Sequence, residues 1–298
     1  MENAILFHLS ANKKLTEKVA SILNLPIGKA EIEKFADGEL MCRNLSNVKG
    51  KDVYVIQSTG KPAQDNIFEI LIFVDALRNC EAKSVNLVIP YFGYSRQDRP
   101  ARTGEPISAK VVAKLYQSVG ADKVITFDLH TSQIQGFFSC PVVNIDTIEL
   151  FGNYFVDYFK KQGVNANDIV IVSPDHGSQL RVRDLSSMFD HVSIAIISKR
   201  RPAPNKSEIT SVVGDVKDKT CIIIDDILDT CGTINNAFEC LKEHGAKEVY
   251  VAATHAVFSG DINTEIKGVV VTDTLEKEIK GVKVLSVAEL LAKAIMDN

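Results

Sequence analysis

The densest chemistry in the chain lies between Cys221 and Thr233, which read Cys-Ile-Ile-Ile-Asp-Asp-Ile-Leu-Asp-Thr-Cys-Gly-Thr. Four apolar residues in succession suit a strand buried on both faces. They stop at two adjacent acids, Asp225 and Asp226. The turn Asp229, Thr230, Cys231, Gly232, Thr233 then leads into a helical stripe of Ile234, Ala237, Phe238 and Leu241. The first N–H groups of a helix have no intrahelical partner, so small hydroxyl residues and a glycine at its start make a cradle for a phosphate. Acids beside that cradle suit ribose hydroxyls or a metal ion rather than the phosphate. Capping by Asp229 or Thr230 accounts for one of these residues and leaves the acid pair unexplained.

Other segments carry charge of the opposite sign. Arg96, Gln97 and Arg99 follow Val88-Ile89-Pro90-Tyr91-Phe92-Gly93-Tyr94, where guanidinium forks could pair with polyphosphate oxygens. A solvated basic loop is the competing reading. Lys199-Arg200-Arg201 opens the polar, proline-containing segment 198–207, which reads as a long mobile loop able to bring cations over a reacting group. Asp128-Leu129-His130 ends another apolar run, and Asp175 follows Ser173-Pro174. A lone histidine at a strand end, such as His130, is more often structural than catalytic.

These residues need strands and helices to place them. The runs Ala4–Leu9, Val53–Ile56, Val85–Ile89, Val124–Phe127, Ile169–Val172, Ile194–Ile197, Cys221–Ile224, Val249–Ala252 and Val269–Val271 are apolar on consecutive positions, as in parallel strands buried on both faces. Helical stripes lie between them, for example Ile67, Ile70, Leu71, Val74 and Leu77. The alternation predicts an α/β protein. A length of 298 residues predicts two domains, and a weak repeat of Gly120…His130 as Gly245…His255 points to two similar ones meeting near residues 145–150. A net charge of −4 gives no bulk attraction to nucleic acid or anionic lipid. No segment reads as a membrane span or a signal peptide. The six cysteines form no C-x-x-C pair and read as reduced, buried thiols of a cytoplasmic protein.

The Asp225–Thr233 segment resembles the phosphoribosyl-pyrophosphate motif of phosphoribosyltransferases. Phe35-Ala36-Asp37-Gly38-Glu39, Tyr91–Arg99, Asp128–His130, Ser173–Gly177 and Lys199–Pro202 narrow the resemblance to the ribose-phosphate pyrophosphokinases, over nearly the whole chain. It implies two tandem phosphoribosyltransferase-like domains, each a mostly parallel sheet flanked by helices. Residues 1–147 would take ATP and 148–298 ribose 5-phosphate, with the last helix packing back on the first domain and the substrates meeting where the domains adjoin. It further implies ATP binding by Phe35, Asp37, Gly38, Glu39, Arg96, Gln97 and Arg99, and Mg²⁺ ligation by His130 and Asp175. Lys199 and Arg201 would be catalytic. Arg201, Asp225, Asp226, Asp229, Thr230, Cys231, Gly232 and Thr233 would hold ribose 5-phosphate. The Phe35–Glu39 segment would serve a neighbouring subunit, so a homo-oligomer is implied, a hexamer built from dimers. The alternative is a catalytically silent relative that regulates an active synthetase.

The match has departures. Ser139 and Val143 stand where many relatives carry acids, which weakens any expectation of extra cation sites. Gly177-Ser178 replaces Gly-Gly, which is expected to alter the backbone's approach to the ribose phosphate side. Cys231 at a helix start could have a lowered thiol pKa. Relatives bind regulatory phosphate through residues matching Ser132, Gln135 and Asn144 together with a serine-bearing tail. The sequence shows no such tail after Asn298, so the expectation is activity without strong dependence on free phosphate.

Overall fold

The computed structural model describes residues 3–175, 177–199 and 210–297. Each apolar run becomes a parallel strand, and the strands divide between two units. The first unit runs to Ile145 and regains Thr274–Glu276 and the stretch from Ser286. Its elements are β1 (Ala4–His8), α1 (Lys13–Leu23), β2 (Ala30–Lys34), β3 (Leu40–Asn44), β4 (Asp52–Ile56), α2 (Ala63–Asn79), β5 (Ser84–Ile89), α3 (Ser108–Ser118), β6 (Lys123–Phe127), β7 (Val142–Ile145) and the returning α7 (Ala288–Met296).

The first sheet is parallel throughout, in the order β1-β4-β5-β6-β7, while β2 and β3 form a separate antiparallel hairpin. Alternate residues point to opposite faces of a strand. Ile5, Phe7, Val53, Val55, Val85, Leu87 and Ile89 therefore share one core with Ile70, Phe73, Val74 and Leu77 of α2 and with Ala109, Val112 and Tyr116 of α3. Each such aromatic or aliphatic side chain contributes about 1.5–3 kcal/mol when fully buried. Helix α7 packs on α1 and β7, burying Leu291 and Ile295 with Leu15 and Val19. Lys18 Nζ donates to Ser286 Oγ at 3.1 Å, and Leu15 N donates to Glu276 Oε1 at 2.9 Å.

The second unit comprises Asp146–Asp273 and Lys277–Leu285. It holds α4 (Ile148–Gln162), β8 (Ile169–Ser173), α5 (Gln179–Ser187), β9 (Ser193–Lys199), β10 (Thr210–Val213), β11 (Thr220–Leu228), α6 (Gly232–Glu243), β12 (Glu248–Ala256), β13 (Gly268–Thr272) and β14 (Val282–Leu285). The order is β10-β9-β8-β11-β12-β13-β14, and only the edge strand β10 runs antiparallel. Period two is visible along β11: Cys221 and Ile223 pack with α6 on one face, and Ile222 and Ile224 with α4 and α5 on the other. That double burial explains the unbroken apolar run.

One expectation needs correction. Ser198 and Lys199 do not open a loop; they finish β9, paired with Ser211 and Thr210 of β10. Ser198 and Lys199 extend the ladder past the apolar run Ile194–Ile197. Residues 200–209, including Arg201, lie outside the described residues. The weak repeat holds at its glycines, since Gly120 and Gly245 both take positive φ, 99° and 83°, where the chain leaves α3 and α6. It fails at its histidines: His130 is exposed after β6, whereas His255 is buried inside β12.

Candidate active site

Parallel strands β8, β9 and β11 end on one edge of the second sheet, where open α/β sheets present ligand-binding loops. Asp175 follows β8, and Asp225 and Asp226 lie in the last part of β11. Asp175 Oδ1 accepts from Gly177 N at 2.8 Å. Asp225 Oδ1 accepts from its neighbour Asp226 N at 2.9 Å and from Ser178 Oγ at 3.0 Å. Burial first, then the negative charges of Asp226 and Asp175, push the Asp225 carboxyl up to about 7. The structure thus brings Asp175, Asp225 and Asp226 close enough for their charges to act on one another.

Thr230, Cys231, Gly232 and Thr233 lie at the start of α6. Cys231 is the N-cap residue, in the left-handed conformation at φ 60°, and makes no side-chain cap bond; no acid occupies the first turn. Cys231, rather than Asp229 or Thr230, holds the N-cap position. Thr230 and Gly232 are exposed, and Thr233 is half-buried. A shelf of residues 258–260 fixes the turn: Phe258 N donates to Leu228 O at 2.8 Å, Ser259 N to Asp229 O at 2.9 Å, and Ser259 Oγ to Asp229 Oδ1 at 2.6 Å. Lys277 Nζ holds that shelf through Val257 O and Phe258 O, at 2.9 and 2.6 Å.

The Cys231 thiol is not lowered. Its side chain is buried, and burial, then Asp229 and Asp261, raise its pKa. Desolvation and two acids outweigh the helix terminus here. Ser178 takes an ordinary backbone conformation, φ −91° and ψ 12°, so the departure from Gly-Gly lies in its hydroxyl rather than in the path of the chain. Lys199 sits at the end of β9 on the same sheet edge; its side chain lies outside the described residues.

In the first unit, the segments that carry Arg96, Gln97, Arg99 and His130 follow β5 and β6, at the carboxyl ends of adjacent strands. All four side chains are exposed. Residues between them make the support. Asp98, only 8% exposed, accepts from Thr131 Oγ1 at 2.8 Å and Gln133 Nε2 at 3.1 Å. Gln97 Oε1 accepts from Ser108 Oγ at 2.6 Å, fixing its amide on the start of α3. Asn144 Oδ1 accepts from Leu129 N at 3.0 Å, and Ile145 O from Asp128 N at 3.0 Å, so β7 holds the residues before His130.

The turn that presents Arg96 is packed backbone to backbone. A Cβ on Gly93 would stand 2.3 Å from Thr59 O, which only glycine avoids. Gly93 N donates to Thr59 Oγ1 at 2.7 Å, and Tyr91 N to Ser58 Oγ at 3.0 Å. Beneath these, Glu69, 4% exposed, accepts from Ser10 N and Gln57 Nε2, while Gln57 Oε1 accepts from Ala11 N and Asn12 Oδ1 from Ser58 N. Sequence reasoning missed Asp98, Ser58, Asn12, Gln57 and Glu69. Their available signal was position, just past the end of an apolar run or on the buried stripe of α2.

Phe35, Asp37, Gly38 and Glu39 form the tip of the β2–β3 hairpin, which packs on α2. Phe35 N donates to Glu39 O at 2.8 Å and Glu39 N to Asp37 Oδ1 at 3.1 Å. Phe35 is 44% exposed, an aromatic ring presented to solvent beside two exposed acids.

Comparison with known proteins agrees with this architecture. A family model for the N-terminal domain of ribose phosphate pyrophosphokinase matches residues 4–120, and a phosphoribosyl transferase domain model matches residues 149–289. The ribose-phosphate pyrophosphokinase of Bacillus subtilis (strain 168) is 46% identical over 304 aligned positions, covering 99% of this chain and 94% of that protein. The Halalkalibacterium halodurans protein of the same name is 46% identical with the same coverage. The crystal structure of phosphoribosylpyrophosphate synthetase from Mycobacterium smegmatis superposes with a TM-score of 0.91 at 38% identity, covering 99% of this chain and 98% of that one. With two phosphoribosyltransferase-like domains in tandem and relatives matched end to end, the chain belongs to the ribose-phosphate pyrophosphokinase family.

Proposed function

We propose that the chain transfers the diphosphoryl group of ATP to the C1 hydroxyl of ribose 5-phosphate, giving 5-phosphoribosyl 1-pyrophosphate and AMP. The observation that carries this reading is the junction after β11, where an acid-free helix start lies beside Asp225 and Asp226. Backbone N–H groups at Cys231, Gly232 and Thr233, with the Thr230 and Thr233 hydroxyls, suit a sugar phosphate. Asp225, Asp226 and Asp229 suit the hydroxyls of its ribose. Arg96, Gln97 and Arg99 suit the triphosphate, and their anchored turn supplies the rigidity such a clamp needs.

Lys199 and Arg201 are the proposed catalytic cations, neutralising charge that develops on the transferring group; Arg201 also serves the sugar phosphate. Phe35, Asp37, Gly38 and Glu39 are assigned to the adenosine site of a neighbouring copy in a homo-oligomer, a hexamer built from dimers. An exposed ring on a projecting hairpin suits base stacking there.

Mg²⁺ fits the donor set. Among the described residues no three His, Cys, Asp or Glu side chains form a ready-made metal cage, and Mg²⁺ seldom uses one, since it keeps waters and shares phosphate oxygens with one or two carboxylates. Burial, then the charges of Asp226 and Asp175, raise the Asp225 pKa, and a cation nearby would offset the part due to those charges. His130 and Asp175 are the proposed ligands, and the ion would supply charge neutralisation along the polyphosphate.

AMP release in the presence of ATP, Mg²⁺ and ribose 5-phosphate tests the reaction. AMP formation that requires the sugar is expected; its absence in correctly folded protein would identify a silent regulatory relative instead.

A further inference from the structure

Serine at a helix N-cap ordinarily turns its hydroxyl onto the N–H groups of the first helical turn. Ser178, the N-cap of α5, does not: it makes no side-chain cap bond. Its Oγ instead donates to Asp225 Oδ1 at 3.0 Å, across 47 residues of chain. The side chain is only 8% exposed, so little water competes for that bond. Asp226 N donates to the same oxygen at 2.9 Å. With both bonds on Oδ1, the rotamer and the plane of the Asp225 carboxylate are held from β11 and α5 together.

Glycine at position 178 would remove the one hydrogen bond that ties Asp225 to α5 and leave it held from its neighbour Asp226. The backbone does not demand glycine here, because φ is negative, −91°. We propose that Ser178 is a positioning residue for pentose binding, which fixes the Asp225 carboxylate for the ribose hydroxyls and tightens the site for ribose 5-phosphate. This rests on the assignment of Asp225 to the sugar given above. A fixed acceptor loses less rotational freedom when the sugar docks, so the effect belongs to binding of the sugar and not to the transfer step.

The test compares Ser178→Ala and Ser178→Gly with Ser178→Thr and Asp225→Asn in the full-length protein, measuring KM for each substrate, kcat, ribose 5-phosphate affinity by calorimetry, and Tm. Ser178→Ala and Ser178→Gly are expected to raise the KM and Kd for ribose 5-phosphate about three- to tenfold, part of the value of one charge-assisted hydrogen bond. The KM for ATP and kcat should stay within about twofold. Ser178→Thr, which keeps the hydroxyl, should restore most of the affinity. Ser178→Ala added to Asp225→Asn should cost little beyond Asp225→Asn alone, since the two residues act as one unit. A sugar affinity unchanged in both Ser178→Ala and Ser178→Gly, while Asp225→Asn weakens it, overturns the role of Ser178 and leaves the sugar assignment standing. Additive losses in the double variant also overturn it. Unchanged affinity in Asp225→Asn overturns the sugar assignment, and the role of Ser178 with it.

Discussion

The Thr131 hydroxyl donates a 2.8 Å hydrogen bond to the buried carboxylate of Asp98, tying the segment that carries Arg96, Gln97 and Arg99 to the one that begins at His130. Asp98→Ala removes this tie and leaves the part-buried Thr131 hydroxyl without its acceptor. A loss of about 1–3 kcal/mol in unfolding free energy is expected, together with a raised KM for ATP. Denaturant melts and ATP titrations check this; an unchanged ATP KM in the folded variant would show that the two loops hold their positions independently.

Asp225 gives the free protein a pH signature. Its folded-state pKa, about 7, lies above the ordinary 3.8, so the folded state binds more protons across that window. The stability it contributes is fully present below about 4 and is lost as pH rises toward 7. Asp225→Asn should therefore gain stability relative to the parent as pH increases through this range, then level off. Melts of both proteins without Mg²⁺ or substrate are the measurement, and a parallel pH profile for the two would refute the shift.

Lys199→Ala and Arg201→Ala are expected to lower kcat by at least an order of magnitude with little change in ATP affinity, because cations that act on the transferring group matter most in the transition state. Steady-state kinetics beside direct ATP binding separate the two effects. A raised ATP Kd at unchanged kcat would move these residues from catalysis to ground-state binding.

Phe35→Ala should weaken ATP binding without affecting the fold, since its ring is 44% exposed. If the hairpin serves a neighbouring copy, Phe35→Ala and Lys199→Ala chains co-expressed as hybrids will form some sites with both residues intact. Activity above the sum of the separate variants is the expected outcome. Strict additivity in mixed oligomers would place Phe35 in its own chain's site.

Much of the sheet core was legible because parallel strands covered on both faces leave unbroken apolar runs. The turn before α6 was legible too, since two adjacent acids interrupt an apolar run just ahead of a helical stripe. Strands β2, β3, β7, β10 and β14 left no such run: β2 reads Ala-Glu-Ile-Glu-Lys and buries little, so its pattern matches a solvated segment. The support of the site was hidden for a different reason. Asp98, Gln57 and Glu69 look like ordinary polar residues until the fold buries them, and Ser178 meets Asp225 only after α5 and β11 have packed together. Pairing across 47 positions has no period for a reader of the sequence to detect.

The route of the chain bears on its synthesis. Helix α7 covers α1 and β7, and Thr274–Glu276 supply partners for Asn12, Leu15 and Ser58, yet all of these residues leave the ribosome long after Ile145. During translation the first unit therefore waits with Leu15 and Val19 uncovered while the second is being made. Nascent chains stalled between Ile145 and Thr274 should bind chaperones and be cut readily by proteases, and release from both should coincide with the emergence of Ala288–Met296.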